Sequence, residues 1–186
     1  MKKFTLLFFI LTISFGYSQS LPIDFDDPLD ANFVPQGNNT FAVVMDGANN
    51  VGQTTSGDAQ YDSRVDLGLD TYVDMTTANK TFTFEFYTSE AVVMNGLFQL
   101  GNKEAGGANV WPIEMGFTTD GAIGWQTITL DFTNATNGYP NAGNPVEYGQ
   151  YAQISVFTNF ADTDSSTYWF DDIAGAANGA AVPAAI

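Results

Sequence analysis

The chain has 186 residues, with 21 acidic and five basic side chains, a formal charge of −16, and neither cysteine nor histidine. So acidic a balance makes nucleic acid and anionic membranes poor partners, and without cysteine an exported chain has no disulfides to stabilise it. Sixteen Phe, eight Tyr and three Trp nevertheless supply the apolar mass of a folded core, which a disordered chain lacks.

At the start, Lys2 and Lys3 precede an apolar run over residues 4–15, and Gly16-Tyr17-Ser18 supplies the small residues of a cleavage site. That is the pattern of a secretory signal over residues 1–20. The run is too short to span a hydrocarbon core of roughly 30 Å, and no cysteine is present to carry a lipid anchor. The expectation is a soluble, exported product beginning near Gln19 or Ser20, with Arg64, Lys80 and Lys103 as its basic residues.

Ile23-Asp24-Phe25-Asp26-Asp27 follows, and its counterpart at the far end is Tyr168-Trp169-Phe170-Asp171-Asp172-Ile173. If these segments pair as terminal strands, four or five carboxylates meet in one place, which calls for a cation. Between them, period-two alternation dominates and no long helical pattern occurs. Residues 81–87 are the clearest strand, with Phe82, Phe84 and Phe86 on one face and Thr81, Thr83, Glu85 and Tyr87 on the other.

Residues 125–132 place Ile128, Leu130 and Phe132 inward and Trp125, Thr127, Thr129 and Asp131 outward. Residues 151–160 place Ala152, Ile154 and Val156 inward, with Tyr151, Gln153, Ser155, Phe157 and Asn159 outward. Over residues 110–118, Trp111, Ile113, Met115 and Phe117 share a face opposite Glu114. Further strands are expected at 41–45, 52–55, 64–67, 71–75, 92–100 and 167–173. Nine or ten short strands joined by Gly-, Asn-, Asp- and Thr-rich loops predict an all-β, two-sheet antiparallel β-sandwich of jelly-roll type over residues 21–174. The stretch 135–145 is too long and too rich in turn residues for a tight hairpin, and long loops of this kind often line binding sites. Residues 175–186 carry no pattern to bury and are expected to be either a frayed tail or, the favoured reading, a linker from this domain to others in a longer protein.

Three segments recur together in this order: Ile23-Asp24-Phe25-Asp26, then Gly124-Trp125-Gln126-Thr127-Ile128-Thr129-Leu130-Asp131-Phe132, then Trp169-Phe170-Asp171-Asp172-Ile173. With them the chain resembles a jelly-roll carbohydrate-binding module of the broad type of families four, nine, sixteen and twenty-two. It also resembles domains of secreted, multi-modular polysaccharide-degradation proteins of Gram-negative bacteria, some attached to laminarin-active glycoside hydrolases. The resemblance implies a structural calcium between the first and last strands, held by Asp26, where such modules often carry Glu, and by Asp171 or Asp172. It also implies that the ligand is a neutral polysaccharide, a β-glucan such as laminarin, and that a glycoside hydrolase or other modules accompany the domain.

Calcium takes six to eight oxygen ligands, and Asp24, Asp26, Asp171 and Asp172 are the candidates, with Asp27 and Asp46 behind them; zinc lacks its His and Cys ligands here. Sugar recognition needs flat apolar faces and hydrogen-bonding groups outside the core. Gln99, Glu114, Gln153 and Asn159 are candidates for the polar contacts; Trp125, Phe157 and Tyr139 for the stacking faces. Trp111 shares the parity of core residues, and Trp169 lies near a strand end. Jelly-roll glycosidases usually carry closely spaced carboxylates on one strand, whereas Glu114 stands alone with Gly116 two residues on. The leading expectation is therefore a non-catalytic binding module. The alternatives are a structural or adhesive β-sandwich contacting other proteins and a small glycoside hydrolase.

Overall fold

The computed structural model describes residues 19–59, 61–103, 111–161 and 165–183; the expected signal segment up to residue 18 lies outside them. The strands are β1 (Val34–Gln36), β2 (Thr40–Asp46), β3 (Asn49–Thr55), β4 (Arg64–Asp74), β5 (Thr81–Thr88), β6 (Asn95–Lys103), β7 (Ile113–Thr118), β8 (Gly124–Asp131), β9 (Thr136–Asn137), β10 (Gln150–Phe157), β11 (Thr167–Gly175) and β12 (Ala177–Ala181). They form two antiparallel sheets. The larger runs β1-β4-β10-β6-β7-β9, with β12 also on β4, and the smaller runs β2-β3-β11-β5-β8. The described residues contain no α-helix, only two short 3-10 turns.

Alternation builds the core. Phe82, Phe84 and Phe86 of β5 are buried from one sheet, and Phe98, Leu100, Ile113, Ile154 and Val156 meet them from the other. Fully burying each such side chain contributes about 1.5–3 kcal/mol. Phe117 packs edge-on against Phe84 and Phe86, and its ring lies directly over Gly96, where a Cβ would fall 2.0 Å from it. The strand therefore needs glycine at that position.

The two chain ends lie side by side, as the paired aspartate segments suggested. Ile23 and Ile173 exchange both backbone hydrogen bonds at 2.9 Å, and Phe25 packs on Phe170. The buried Asp30 carboxylate fixes the turn that follows Ile23, accepting from Asp24 N, Phe25 N and Gln19 Nε2.

Three expectations need correction. The segments expected at 64–67 and 71–75 are one continuous strand, β4. Tyr151, expected to face outward, is fully buried: between Tyr151 and Gln153 the register of β10 against β4 shifts, a two-residue step along β10 facing a five-residue step along β4 from Val73 to Gly68, and the parity reverses there. Finally, the segment expected to be a linker from 175 onward instead adds β12 to β4. The chain changes sheets at Gly175, whose φ is +121° and where a Cβ would meet Thr81 O at 2.1 Å. β12 is held by backbone bonds and by Asn178 Nδ2 donating to Leu21 O, so it forms without an apolar period.

Candidate functional site

The outer face of the larger sheet carries the candidate site. Because β10, β6, β7 and β9 run side by side, Ser155, Gln99, Glu114 and Thr136 fall in one cross-strand row. Phe157 and Leu97 occupy the next row on the same face. Over these rows lies a cleft of about 510 Å³, with Leu97, Gln99, Glu114 and Phe157 as its floor. Tyr61, Asp62, Arg64 and Phe160 close it on one side, and Pro112 and Tyr139 on the other. The volume falls in the range of small-ligand sites.

Its two ends differ chemically. At the polar end, Gln99 Nε2 donates to Glu114 Oε2 at 3.1 Å. Burial raises the Glu114 carboxyl above its ordinary range, and the Gln99 bond partly offsets this. Tyr139 stands at the rim with 90% of its surface exposed. At the aromatic end, Tyr61 packs edge-on against Phe160, and Phe160 against Phe157. The Arg64 guanidinium lies over the Phe157 ring, held by Asp66 at 2.9 Å and Asp62 at 3.9 Å. Such a cleft offers apolar ring surface together with donors and acceptors at the spacing of adjacent strands, which suits a hydroxylated ring better than a flat apolar ligand.

The structure brings together four of the seven residues proposed from sequence for ligand contact: Gln99, Glu114, Tyr139 and Phe157. Phe157 is 5% exposed and serves as floor rather than as an open stacking face. Gln153 lies on the same sheet face but outside the cleft, engaged with Asn102 and Ser155. Asn159 is buried beyond the end of β10 and lines a separate cavity of about 230 Å³ with Val93 and Tyr168. Trp125 belongs to the opposite sheet, in a cross-strand row with Tyr87 and Trp169, its indole N–H donating to Asp46 at 2.9 Å.

Sequence reasoning missed Tyr61, Asp62, Arg64, Leu97, Pro112 and Phe160. Arg64 gave one signal, as a rare basic residue alternating with Asp66 at the start of a strand. Leu97 shares the parity of Gln99 on β6 and was open to the same alternation argument, whereas Tyr61, Asp62, Pro112 and Phe160 lie outside the strands, where alternation carries no information.

At the chain ends, Asp24 Oδ1 accepts from Asp26 N and Asp26 Oδ1 from Asn50 Nδ2. Asp171 is nearly buried, its two oxygens accepting from Asn49 Nδ2 at 2.6 Å and Asp172 N at 2.8 Å. Burial, with the Asp172 and Asp24 charges added, pushes its carboxyl up to about 6. Among the described residues, no group of three His, Cys, Asp or Glu side chains converges to hold a metal ion as arranged. The Asp171 and Asp26 carboxylates each accept an amide N–H, from Asn49 and Asn50, and retain further lone pairs.

No protein-family model and no curated protein matches the sequence. Solved structures do match. A family 11 carbohydrate-binding module from Clostridium thermocellum, in complex with a β-1,3-1,4-mixed-linked tetrasaccharide, aligns with a TM-score of 0.60 at 16% identity, over 89% of this chain and 98% of its own. The family 11 module of the cellulosomal cellulase Lic26A-Cel5E of Clostridium thermocellum gives 0.59 at 16% identity, over 90% and 96%. The solution structure of CtCBM11 gives 0.62 at 15%, over 92% and 100%. At these identities the likeness shows the fold, a carbohydrate-binding-module β-sandwich. These neighbours belong to family 11 rather than to families four, nine, sixteen or twenty-two.

Proposed function

We propose that the chain is a non-catalytic carbohydrate-binding module whose cleft holds a neutral polysaccharide, a β-glucan such as laminarin or a mixed-linkage glucan. The observation that carries this reading is the cleft itself. An exposed Tyr139 ring at the rim and the Tyr61–Phe160 pair opposite flank the Gln99–Glu114 row, so ring faces and hydroxyls are met at once. The carboxylates Glu114 and Asp62 and the overall charge of −16 favour an uncharged glycan over an acidic one. The tetrasaccharide complex of the family 11 neighbour supports the substrate class.

The domain is further proposed to be exported, to act beside a glycoside hydrolase or other modules, and to gain stability from calcium at Asp24, Asp26, Asp171 and Asp172. The closeness of Asp24, Asp171 and Asp172 at the paired chain ends supports the ion. The competing reading, a β-sandwich that contacts other proteins, draws on the outward row of Tyr87, Trp125 and Trp169.

Affinity electrophoresis against a panel of soluble glycans, with reducing-sugar release followed in parallel, tests the proposal. Retardation by a β-glucan without sugar release is expected. Release of sugar would make the protein a hydrolase, and retardation by no glycan would favour the protein-contacting surface.

A further inference from the structure

The rim that carries Tyr139 is a long irregular loop, and one buried side chain sets its shape from below. Asn137 ends β9 with 1% exposure, paired with Ile113. Its Nδ2 donates to the carbonyls of Asn144 at 2.9 Å and Pro145 at 3.1 Å, at the far end of the same loop. Gly138 then lays the backbone on the cleft floor. Its N–H donates to Pro112 O at 2.9 Å, and a Cβ there would lie 3.1 Å from both Gln99 Nε2 and Glu114 Oε2. Two further backbone bonds, Asn141 N to Gly138 O and Asn144 N to Asn141 O, complete the loop.

A segment this rich in Gly and Asn carries much conformational freedom, and ordering it only when a ligand arrives would subtract from affinity. The Asn137 clamp removes that freedom beforehand. We propose that Asn137 is a positioning residue: without touching the glycan, it fixes the loop so that Tyr139 stands over the Gln99–Glu114 end of the cleft. This deepens, and rests on, the glycan-binding reading of the cleft. Asn137 sits on the inward face of a two-residue strand, so strand pattern alone gives it a purely structural part; the paired bonds to the far end of the loop link it to Tyr139.

A double-mutant cycle tests this, with dissociation constants and dissociation rates of the full chain measured on laminarin and on a soluble β-1,3-1,4-mixed-linkage glucan. Asn137→Ala is expected to weaken binding about five- to tenfold, mostly through faster dissociation. The double variant Asn137→Ala/Tyr139→Ala is expected to bind no more weakly than Tyr139→Ala alone, because both lose the same contact. Additive losses, or a folded Asn137→Ala with wild-type affinity, overturn the proposal. Pro145→Gly loosens the same loop from an exposed position and keeps the test open if Asn137→Ala does not fold. A loss of about two- to threefold is expected, disappearing in the Tyr139→Ala background; its persistence there also overturns the proposal. Wild-type protein retained by neither glucan defeats the glycan reading itself. Wild-type retention that Tyr139→Ala leaves unchanged defeats only the positioning role.

Discussion

Replacing Glu114 by Gln removes a charge from the cleft and almost no volume, and it separates binding from stability by sign. The carboxyl is half-buried, and burial raises its pKa, with the Gln99 bond opposing the rise. A sugar hydroxyl bonded to the ionised carboxylate makes a charge-assisted hydrogen bond of about 1.5–3 kcal/mol, against about 0.5–1.5 for a neutral acceptor. Losing roughly 1 kcal/mol weakens binding about fivefold at 25 °C. Stability moves the other way. A raised folded-state pKa means that the native protein holds the proton more readily than the unfolded chain, so stability falls as pH rises from the ordinary carboxylate range through the raised value. Glu114→Gln removes that loss and should unfold at equal or higher urea concentration at neutral pH. Wild-type affinity should decline on acidification, beginning above the ordinary carboxylate range, while the variant stays flat. Titration calorimetry with laminarin and urea melts over about pH 4 to 8 read both. Wild-type affinity and an unchanged pH profile in the variant would refute the role of Glu114, and joint loss of affinity and stability would mark general damage instead.

Trp125→Ala should leave β-glucan affinity within about twofold of wild type, since the indole lies on the sheet opposite the cleft; a tenfold loss in affinity electrophoresis would move the site to the smaller sheet. Gly96→Ala drives a Cβ into the Phe117 ring at 2.0 Å, which should cost about 1–3 kcal/mol and lower Tm by roughly 3–10 °C. An unchanged thermal melt would mean that the ring has room to yield. If calcium binds at the chain ends, excess ion at a hundred times its Kd adds about 2.7 kcal/mol. Chelator should then lower Tm and added calcium restore it, whereas identical melts in both would remove the ion from the account.

The parts legible in the sequence are those governed by period two. Phe82, Phe84 and Phe86 face the core because alternate residues of a strand must, and Gln99 and Glu114 face outward for the same reason. The parts that misled are those where register shifts or backbone bonding replaces side-chain pattern. The register shift of β10 against β4 between Tyr151 and Gln153 accompanies the turn of Tyr151 into the core. β12 needed no apolar alternation because β4 and Asn178 supply its bonds. Parity also cannot assign a strand to a sheet, so it does not distinguish Trp125 from Gln99, although the two lie on opposite sides of the sandwich. The loop residues Tyr61 and Asp62 carried no signal, because their place beside Phe160 and Arg64 is set by the three-dimensional path of the chain.

Two aromatic surfaces compete for the ligand-binding role, and they differ in ring geometry. On the smaller sheet, Tyr87 and Trp169 stack on one another at 4.6 Å with planes 19° apart, so each spends a face on its neighbour. Trp125 leans against both, and its N–H is already given to Asp46. Tyr87 and Trp169 thus cover one face of each other, while Trp125 keeps 36% of its surface exposed beside Asp46 and Glu85. On the larger sheet the arrangement is reversed: the Tyr139 ring is 90% exposed, and the polar groups beside it, Gln99 and Glu114, point along the cleft floor with lone pairs to spare. Aromatic residues are more numerous on the first surface, whereas the more exposed ring beside hydrogen-bonding groups, Tyr139, belongs to the second. A strand-by-strand count of tryptophans therefore points to the smaller sheet and ring exposure to the larger, and Trp125→Ala and Tyr139→Ala, read side by side for β-glucan affinity, separate the two.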